Sequence, residues 1–272
     1  MSEAVYMRLF MRIFVCIFFL LALSACGAGQ FGKTYRGYLT PEEAADVVML
    51  GEGQEPNLIR SDDIDRDVRF YREHNYIVIG ESSFNGVQEN PENAVRQAEE
   101  VKATHVIVSS AYTDTESRVD YDYQDVYSTV FVNRVANIDG QEVNVQESVM
   151  VRDTVSVPYM RQYDNFDQWA VYMVKSNRVH KLGILLRDLD QQDRGINNRN
   201  TGTVIDIVLA SSPAYLADIV PGDVLTAING EKIIDTRHAI DLIGALELSG
   251  QTVLLSIVKQ GVERDISLEF SE

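Results

Sequence analysis

Residues 80–84, with the sequence GESSF, come closest in this chain to a catalytic serine motif. A serine nucleophile on a strained strand-to-helix turn needs the pattern G-x-S-x-G, because larger side chains do not fit beside the turn. Phe84 occupies the position of the second glycine. We therefore interpret Ser82 and Ser83 as residues of a capped loop and expect no hydrolase activity from them.

Metal-ligating residue types are present, but they are not spaced as ligands. The four histidines are scattered and form no H-E-x-x-H pair; they are His74, His105, His180 and His238. The acidic run at residues 62–65 lacks the spacing of an EF-hand calcium loop, and acids at the positive end of a helix explain it. The sequence therefore predicts no metal site and no cofactor.

Residues 1–25 have the composition of a secretory signal. Arg8 and Arg12 precede an apolar run at residues 13–23, and small residues follow. The apolar run is too short to span a bilayer comfortably. We expect this signal peptide to be absent from the mature protein.

Residues 23–26, LSAC, are similar to a bacterial lipobox, in which an aliphatic residue and two small residues precede a cysteine. The resemblance implies cleavage before Cys26, a thioether-linked diacylglycerol on its sulfur, and usually an N-acyl chain such as palmitate. Several acyl chains anchor a protein stably in a membrane. Gly27 stands where an aspartate would resemble the inner-membrane retention signal, so we expect the outer membrane, facing the periplasm. An ordinary signal peptide with an incidental cysteine is the alternative.

The cysteine count and the charge exclude several classes of function. Cys16 would leave with the signal and Cys26 would be acylated, so the mature chain would hold neither a free thiol nor a disulfide. A thiol enzyme and a cysteine metal site are thereby excluded. The 272 residues carry a formal net charge of −17, which disfavours nucleic acid and anionic lipid headgroups as partners.

Residues 202–230 carry the densest local structural signals in the chain. Alternating apolar residues at 204–209 predict a strand. Ser212-Pro213 predicts a short helix, because serine suits the N-cap and proline the first helical position. Residues 224–228 predict a second strand, and Asn229-Gly230 is typical of a hairpin turn.

This order of elements resembles the PDZ domain of bacterial HtrA-like periplasmic proteases. The shared positions are small, capping and turn residues: Ser212, Pro213, Ala214, Ala217, Gly222, Asp223, Asn229 and Gly230. The resemblance covers roughly residues 181–270 and implies a peptide-binding fold, a small β-barrel or sandwich with two helices. No G-x-S-G-G stretch occurs, so we do not expect the protease domain that usually accompanies this type of PDZ domain.

Residues 181–184, KLGI, stand where the resemblance places the loop that binds a peptide carboxylate, although Lys181 departs from the usual residue. A loop glycine lets backbone N–H groups converge on an anion. The resemblance implies peptide-binding residues in this loop, in the strand after it and in a groove helix: Leu182, Gly183, Ile184, Leu185, Leu186, His238 and Leu242. Leu182 and Ile184 are aliphatic, so we expect a small or medium apolar C-terminal residue. Residues 190–201 are expected to form a long polar loop.

The groove helix is predicted to begin at Asp235-Thr236 and to end near residue 246. Its register is open, so either His238 or Ala239, and then either Leu242 or Ile243, would face the groove. In PDZ domains that prefer a hydroxyl residue near the end of the peptide, a histidine opens this helix. The alternative for His238 is an exposed helix side chain.

Residues 58–176 predict a different arrangement. A strand at residues 76–79, a helix from Pro91 and a strand at residues 106–108 are spaced as a right-handed parallel βαβ unit. Residues 121–135 and 142–159 are rich in Val, Tyr and Thr and predict a long antiparallel hairpin or three strands. The tyrosines at 121 and 123 lie among acids, which is compatible with ligand binding or with a half-exposed edge strand.

The chain is therefore predicted to be of the α+β class, with a mixed α/β domain before the PDZ domain. We expect a signal peptide at residues 1–25, a tether and a first helix from Pro41 at 26–57, the α/β domain of unknown function at 58–176, and the PDZ domain at 177–272. Residues 76–84 and 167–175 resemble uncharacterised bacterial lipoproteins with a C-terminal PDZ domain, a resemblance that supplies no activity.

These features predict a lipid-anchored, non-enzymatic cell-envelope protein that binds extended peptides or protein C-termini through its PDZ groove, as an adaptor or scaffold. One alternative is a PDZ lipoprotein used for assembly, with its groove empty or filled by the chain itself. A second alternative is an enzyme with an unrecognised site within residues 58–176.

Overall fold

Two six-stranded β-sheets form the framework of the chain, for which the computed structural model describes residues 29–247 and 249–270. The helices are α1 (Gly29–Thr34), α2 (Pro41–Ala44), α3 (Ile64–Glu73), α4 (Glu92–Glu100), α5 (Gln191–Asn197), α6 (Pro213–Leu216) and α7 (Thr236–Ala245). The strands are β1 (Arg36–Gly37), β2 (Val47–Val48), β3 (Asn57–Arg60), β4 (Tyr76–Val87), β5 (His105–Ile138), β6 (Gln141–Ser176), β7 (Ile184–Arg187), β8 (Thr203–Val208), β9 (Val224–Ile228), β10 (Glu231–Lys232), β11 (Thr252–Lys259) and β12 (Val262–Glu269). The expected signal peptide and Cys26, with its expected lipid, lie outside the described residues.

The first sheet has the strand order β1-β4-β6-β5-β3, and β2 also pairs with β6. β3 and β5 are parallel, with Leu58 opposite Val106. The predicted strand, helix and strand are present as β4, α4 and β5, but β6 lies between the two strands, so they do not pair directly. β6 takes this place because a tight turn at residues 139 and 140 keeps it beside β5.

The core of the first sheet includes a segment that the sequence predicted to be a tether. Residues 29–34 form α1, and Phe31 is only 3% exposed, with its ring centroid 4.9 Å from that of Phe84. Ala94 and Ala98 of α4 belong to the same buried cluster as Tyr172 of β6. The core of this sheet therefore includes part of the expected tether. The helix predicted from Pro41 is only four residues long, because the chain passes at once into β2.

The chain divides into two compact units. The first contains the described residues up to 84, residues 89–110 and the described residues from 168 onward. The second contains residues 85–88 and 111–167, the outer parts of β5 and β6. Within the described ranges, no helix is both long and apolar enough to cross a membrane.

The second sheet has the order β12-β11-β9-β8-β7, and β10 pairs with β9. Ile205, Leu225 and Leu255 are fully buried in its core, where Ala214 of α6 and Ala239 of α7 pack. The strand predicted at residues 224–228 is β9, with the same bounds. The prediction of a loop at residues 190–201 was wrong, because this segment contains α5. The helix begins with a capping box of Asp190 and Asp193.

Candidate functional site

β7 lies at the end of the second sheet, and β8 is its partner on one side. Ile184 is opposite Val208 and Leu185 is opposite Ile207, and the register shifts between Leu185 and Leu186. No other described strand pairs with the far edge of β7. An edge strand offers a row of backbone N–H and C=O groups to a further strand.

A cavity of about 520 Å³ lies beside this edge. Its lining comes from β7, the segment between β6 and β7, α7 and α3. The lining residues are Arg72, Arg178, Val179, His180, Lys181, Leu182, Ile184, Leu185, Leu186, Ile240, Ile243 and Gly244. The walls on β7 and α7 are aliphatic, whereas the cationic side chains come from α3 and residues 178–181. The cavity can therefore take an apolar side chain next to a negatively charged group.

The loop before β7 requires glycine at position 183. Gly183 has a φ of +77°, and a Cβ at this position would overlap the side chain of Ser212. The N–H of Gly183 donates to the His180 carbonyl at 3.0 Å, and its own carbonyl accepts from the Leu209 N–H at 2.8 Å. These bonds hold the loop in a tight turn against the start of α6.

Lys181 connects this loop to the end of the groove helix. Its Nζ donates to the carbonyls of Gly244 and Leu246, each at 2.6 Å. A lysine at a helix C-terminus satisfies carbonyls that have no partner in the helix and interacts favourably with the helix dipole. The departure from the usual loop residue thus has a structural role, because it fixes α7 relative to the loop.

Most of the predicted peptide-binding residues lie together at the cavity. Leu182, Ile184, Leu185 and Leu186 line it, and Gly183 shapes the loop between them. His238 and Leu242 do not belong to the lining.

The helix register explains this difference. The Nδ1 of His238 accepts from the Ile234 N–H at 3.3 Å, so its ring is turned back toward the chain before α7. Leu242 packs against the buried core. The helix faces the cavity with Ile240, Ile243 and Gly244, which the sequence left out apart from the alternative of Ile243. The helical spacing of Ile240 and Ile243 is the signal that could have found them.

Two arginines from outside the second sheet contribute to the cavity lining, and the sequence did not predict them. Arg72 of α3 pairs with Asp206 at 2.8 Å, and Arg178 pairs with Asp46 at 3.0 Å. Burial lowers the pKa of His180 below its ordinary value, and the positive charge of Arg178 lowers it further. Both causes favour the neutral form of its imidazole.

Apart from His180, the residues considered for catalysis and metal binding lie elsewhere. Ser82 and Ser83 lie inside β4, not in the expected loop, and the buried Ser82 hydroxyl donates to the Phe31 carbonyl at 2.7 Å. Of the scattered histidines, His180 lines the cavity, and burial also lowers the pKa of His105. Among the residues that the structure describes, no three His, Cys, Asp or Glu side chains are grouped as metal ligands would be.

Comparison with known proteins identifies the part of the chain that contains β8, β9 and α7. The PDZ domain family matches residues 204–259. The probable periplasmic serine endoprotease DegP-like of Hahella chejuensis (strain KCTC 2396) is 29% identical over 146 residues, which cover 50% of this chain and 30% of that protein. The match thus spans less than a third of the relative's length.

Two solved structures are also similar to part of this chain. One is the HtrA-type protease AlgW with a decapeptide, at 17% identity and a TM-score of 0.30, covering 36% of each chain. The other is the HtrA3 PDZ domain bound to a phage-derived ligand (FGRWV), at 18% identity and a TM-score of 0.28, covering 32% of this chain and 81% of that one. The match to the PDZ domain family thus falls on the second sheet, from β8 to β11.

Proposed function

We propose that this chain is a lipid-anchored, non-enzymatic protein of the bacterial cell envelope that binds extended peptides or protein C-termini, as an adaptor or scaffold. The observation that carries the peptide-binding part is the open edge of β7 next to an aliphatic cavity. A peptide added as a strand at this edge gains main-chain hydrogen bonds, and its side chains enter the cavity. The PDZ domain match supports the same mode of binding.

The cavity lining indicates which peptides bind. Leu182, Ile184 and Ile243 are aliphatic, so a small or medium apolar C-terminal residue fits best. The resemblance to PDZ domains assigns the terminal carboxylate to the loop of residues 181–184. We expect micromolar affinity, about −8 kcal/mol.

A titration of C-terminal peptides against the full chain tests this proposal. Ile240 lines the cavity and is 51% exposed, so Ile240→Glu changes the groove without burying a charge in the core. We expect it to weaken binding at least about 10-fold, a loss of about 1.4 kcal/mol. Ile234→Glu is the matched control, because Ile234 is 62% exposed and lies outside the cavity lining.

Two results would contradict the proposal. One is that no peptide with a free carboxylate binds the parent chain. The other is that both glutamate variants bind as well as the parent. Either result would favour the assembly alternative, in which the groove is empty or filled by the chain itself.

The non-enzymatic part of the proposal rests on the engaged hydroxyl of Ser82 and on its position within a continuous strand. A strained strand-to-helix turn, which exposes a nucleophilic serine, is not the local geometry here. A fluorophosphonate probe should label neither Ser82 nor Ser83. Labelling that disappears on alanine substitution of either serine would establish an enzyme instead.

A further inference from the structure

The outer parts of β5 and β6 form a long two-stranded ribbon, residues 111–138 and 141–167. Asp139 and Gly140 form the turn, with φ values of +53° and +82°, as a two-residue hairpin turn requires. A hairpin of two strands is only marginally stable by itself in water. A partner that covers one of its faces would therefore stabilise the ribbon.

Side-chain contacts show which residues share a face. Thr115 bonds to Asp164 at 2.7 Å, and Thr154 bonds to Asp125 at 3.1 Å. Both pairs are directly opposite in the register that the two-residue turn sets. Odd-numbered residues of β5 thus lie on the same face as even-numbered residues of β6. The ion pair of Arg134 with Glu147, on the other face, shows that this alternation extends from position 115 to position 134.

The face with the odd-numbered residues of β5 is rich in exposed aromatic and methionine side chains. We call it the aromatic face, and its largest members are Tyr121, Tyr123, Tyr127, Phe131, Met150 and Met160. They are between 59% and 72% exposed. Tyr, Phe and Met are the residue types that protein interfaces favour over the rest of the surface.

The charges on this face are balanced, although the chain as a whole is strongly acidic. Between positions 119 and 135 of β5 and positions 144 and 160 of β6, the charged residues on the aromatic face are Asp125 and Arg152. They pair with each other at 2.6 Å. Over the same span, the opposite face has four acids and one arginine. Two aromatic faces can therefore approach each other without repulsion between like charges.

We propose that a second copy of this chain covers the aromatic face, with ribbon packed against ribbon. The exposed apolar side chains of this face present roughly 1000 Å², and a standard interface needs about 800 Å² from each partner. Neutral charge, interface-like composition and sufficient area all fit a symmetric contact of two identical faces. This inference does not depend on the peptide groove.

Sedimentation of the full chain in a density-matched detergent tests the proposal. We expect a dimer at about 10 µM, within the range of ordinary protein interfaces. The double variant Tyr127→Asp/Phe131→Asp places two charges in the aromatic face and should weaken the dimer at least about 100-fold. Val130→Asp/Val132→Asp is the matched control, because these neighbours lie on the opposite face, and it should remain dimeric.

A photo-crosslinking amino acid at Phe131 or at Val132 identifies the contact even if a charged variant fails to fold. Crosslinking of one copy to another from position 131, and not from 132, is the expected result. A parent chain that is monomeric at about 100 µM would overturn the proposal. So would equal dissociation by both double variants, or crosslinking from position 131 only to a different protein.

Discussion

Gly183 should tolerate no side chain unless Ser212 is also changed. An alanine at 183 would have to keep a φ of +77°, which costs an L-residue about 1–2 kcal/mol. Its Cβ would also overlap the Ser212 side chain, and the backbone shift that relieves such an overlap costs about 1–3 kcal/mol. We therefore expect Gly183→Ala to destabilise the PDZ domain by about 3 kcal/mol.

Removal of the Ser212 side chain separates the two contributions. Ser212→Gly alone should cost only a few tenths of a kcal/mol as an N-cap change. In that background, Gly183→Ala should cost only the φ strain, about 1–2 kcal/mol. Hydrogen exchange of β8 and β9 measures the opening free energy in the full-length parent, the two single variants and the double variant. An equal cost of the alanine in both backgrounds would refute the overlap.

Three further predictions concern the loop, the pH and the lipid. Lys181→Met should destabilise the end of α7 by about 1–2 kcal/mol, because two charge-assisted hydrogen bonds are lost. Hydrogen exchange should become faster in α7 alone, and unchanged protection of α7 would contradict the capping role of Lys181. Burial lowers the pKa of His180 in the folded chain, so the unfolded chain binds more protons at pH values below the ordinary pKa of 6.5. The free energy of unfolding should therefore fall from pH 7 to pH 5. Urea unfolding should show a smaller fall for His180→Gln, with His105 supplying the remainder; the same slope in both chains would assign the effect elsewhere. Cys26→Ser should abolish incorporation of labelled palmitate, and equal labelling of the variant would exclude Cys26 as the acylation site.

The PDZ part of the fold was predictable because its signals are local. Ser212 caps α6, with its Oγ accepting from the Tyr215 N–H at 3.2 Å, and Asp235 caps α7. Asn229 and Gly230 both have positive φ values, as their turn requires. Each of these features depends on residues within a few positions of one another, which a sequence displays directly.

The rest of the candidate site depends on contacts that are distant in sequence. Arg72 reaches the cavity because α3 packs near β8, 134 residues away at Asp206. The role of Lys181 depends on carbonyls more than sixty residues away, at Gly244 and Leu246. Phe31 was assigned to a tether because a single aromatic residue among glycines gives no periodic pattern.

Arg72 and residues 178–181 contribute one wall of the cavity, so the groove is not formed by the PDZ sequence alone. A fragment that begins at residue 181 would keep only Lys181 of that wall. It would also lack the ion pair of Arg72 and Asp206 and the hydrogen bond from the Ala210 N–H to the Glu73 carbonyl. A molecule that fills the intact cavity touches both α3 and β7, so its binding free energy also holds α3 in place. At 100 times its dissociation constant, that linkage would add at most about 2.7 kcal/mol, the value for an opening of α3 that abolishes binding. Any occupant of the groove would then protect α3 from hydrogen exchange, and the α/β sheet would respond to what the PDZ domain binds.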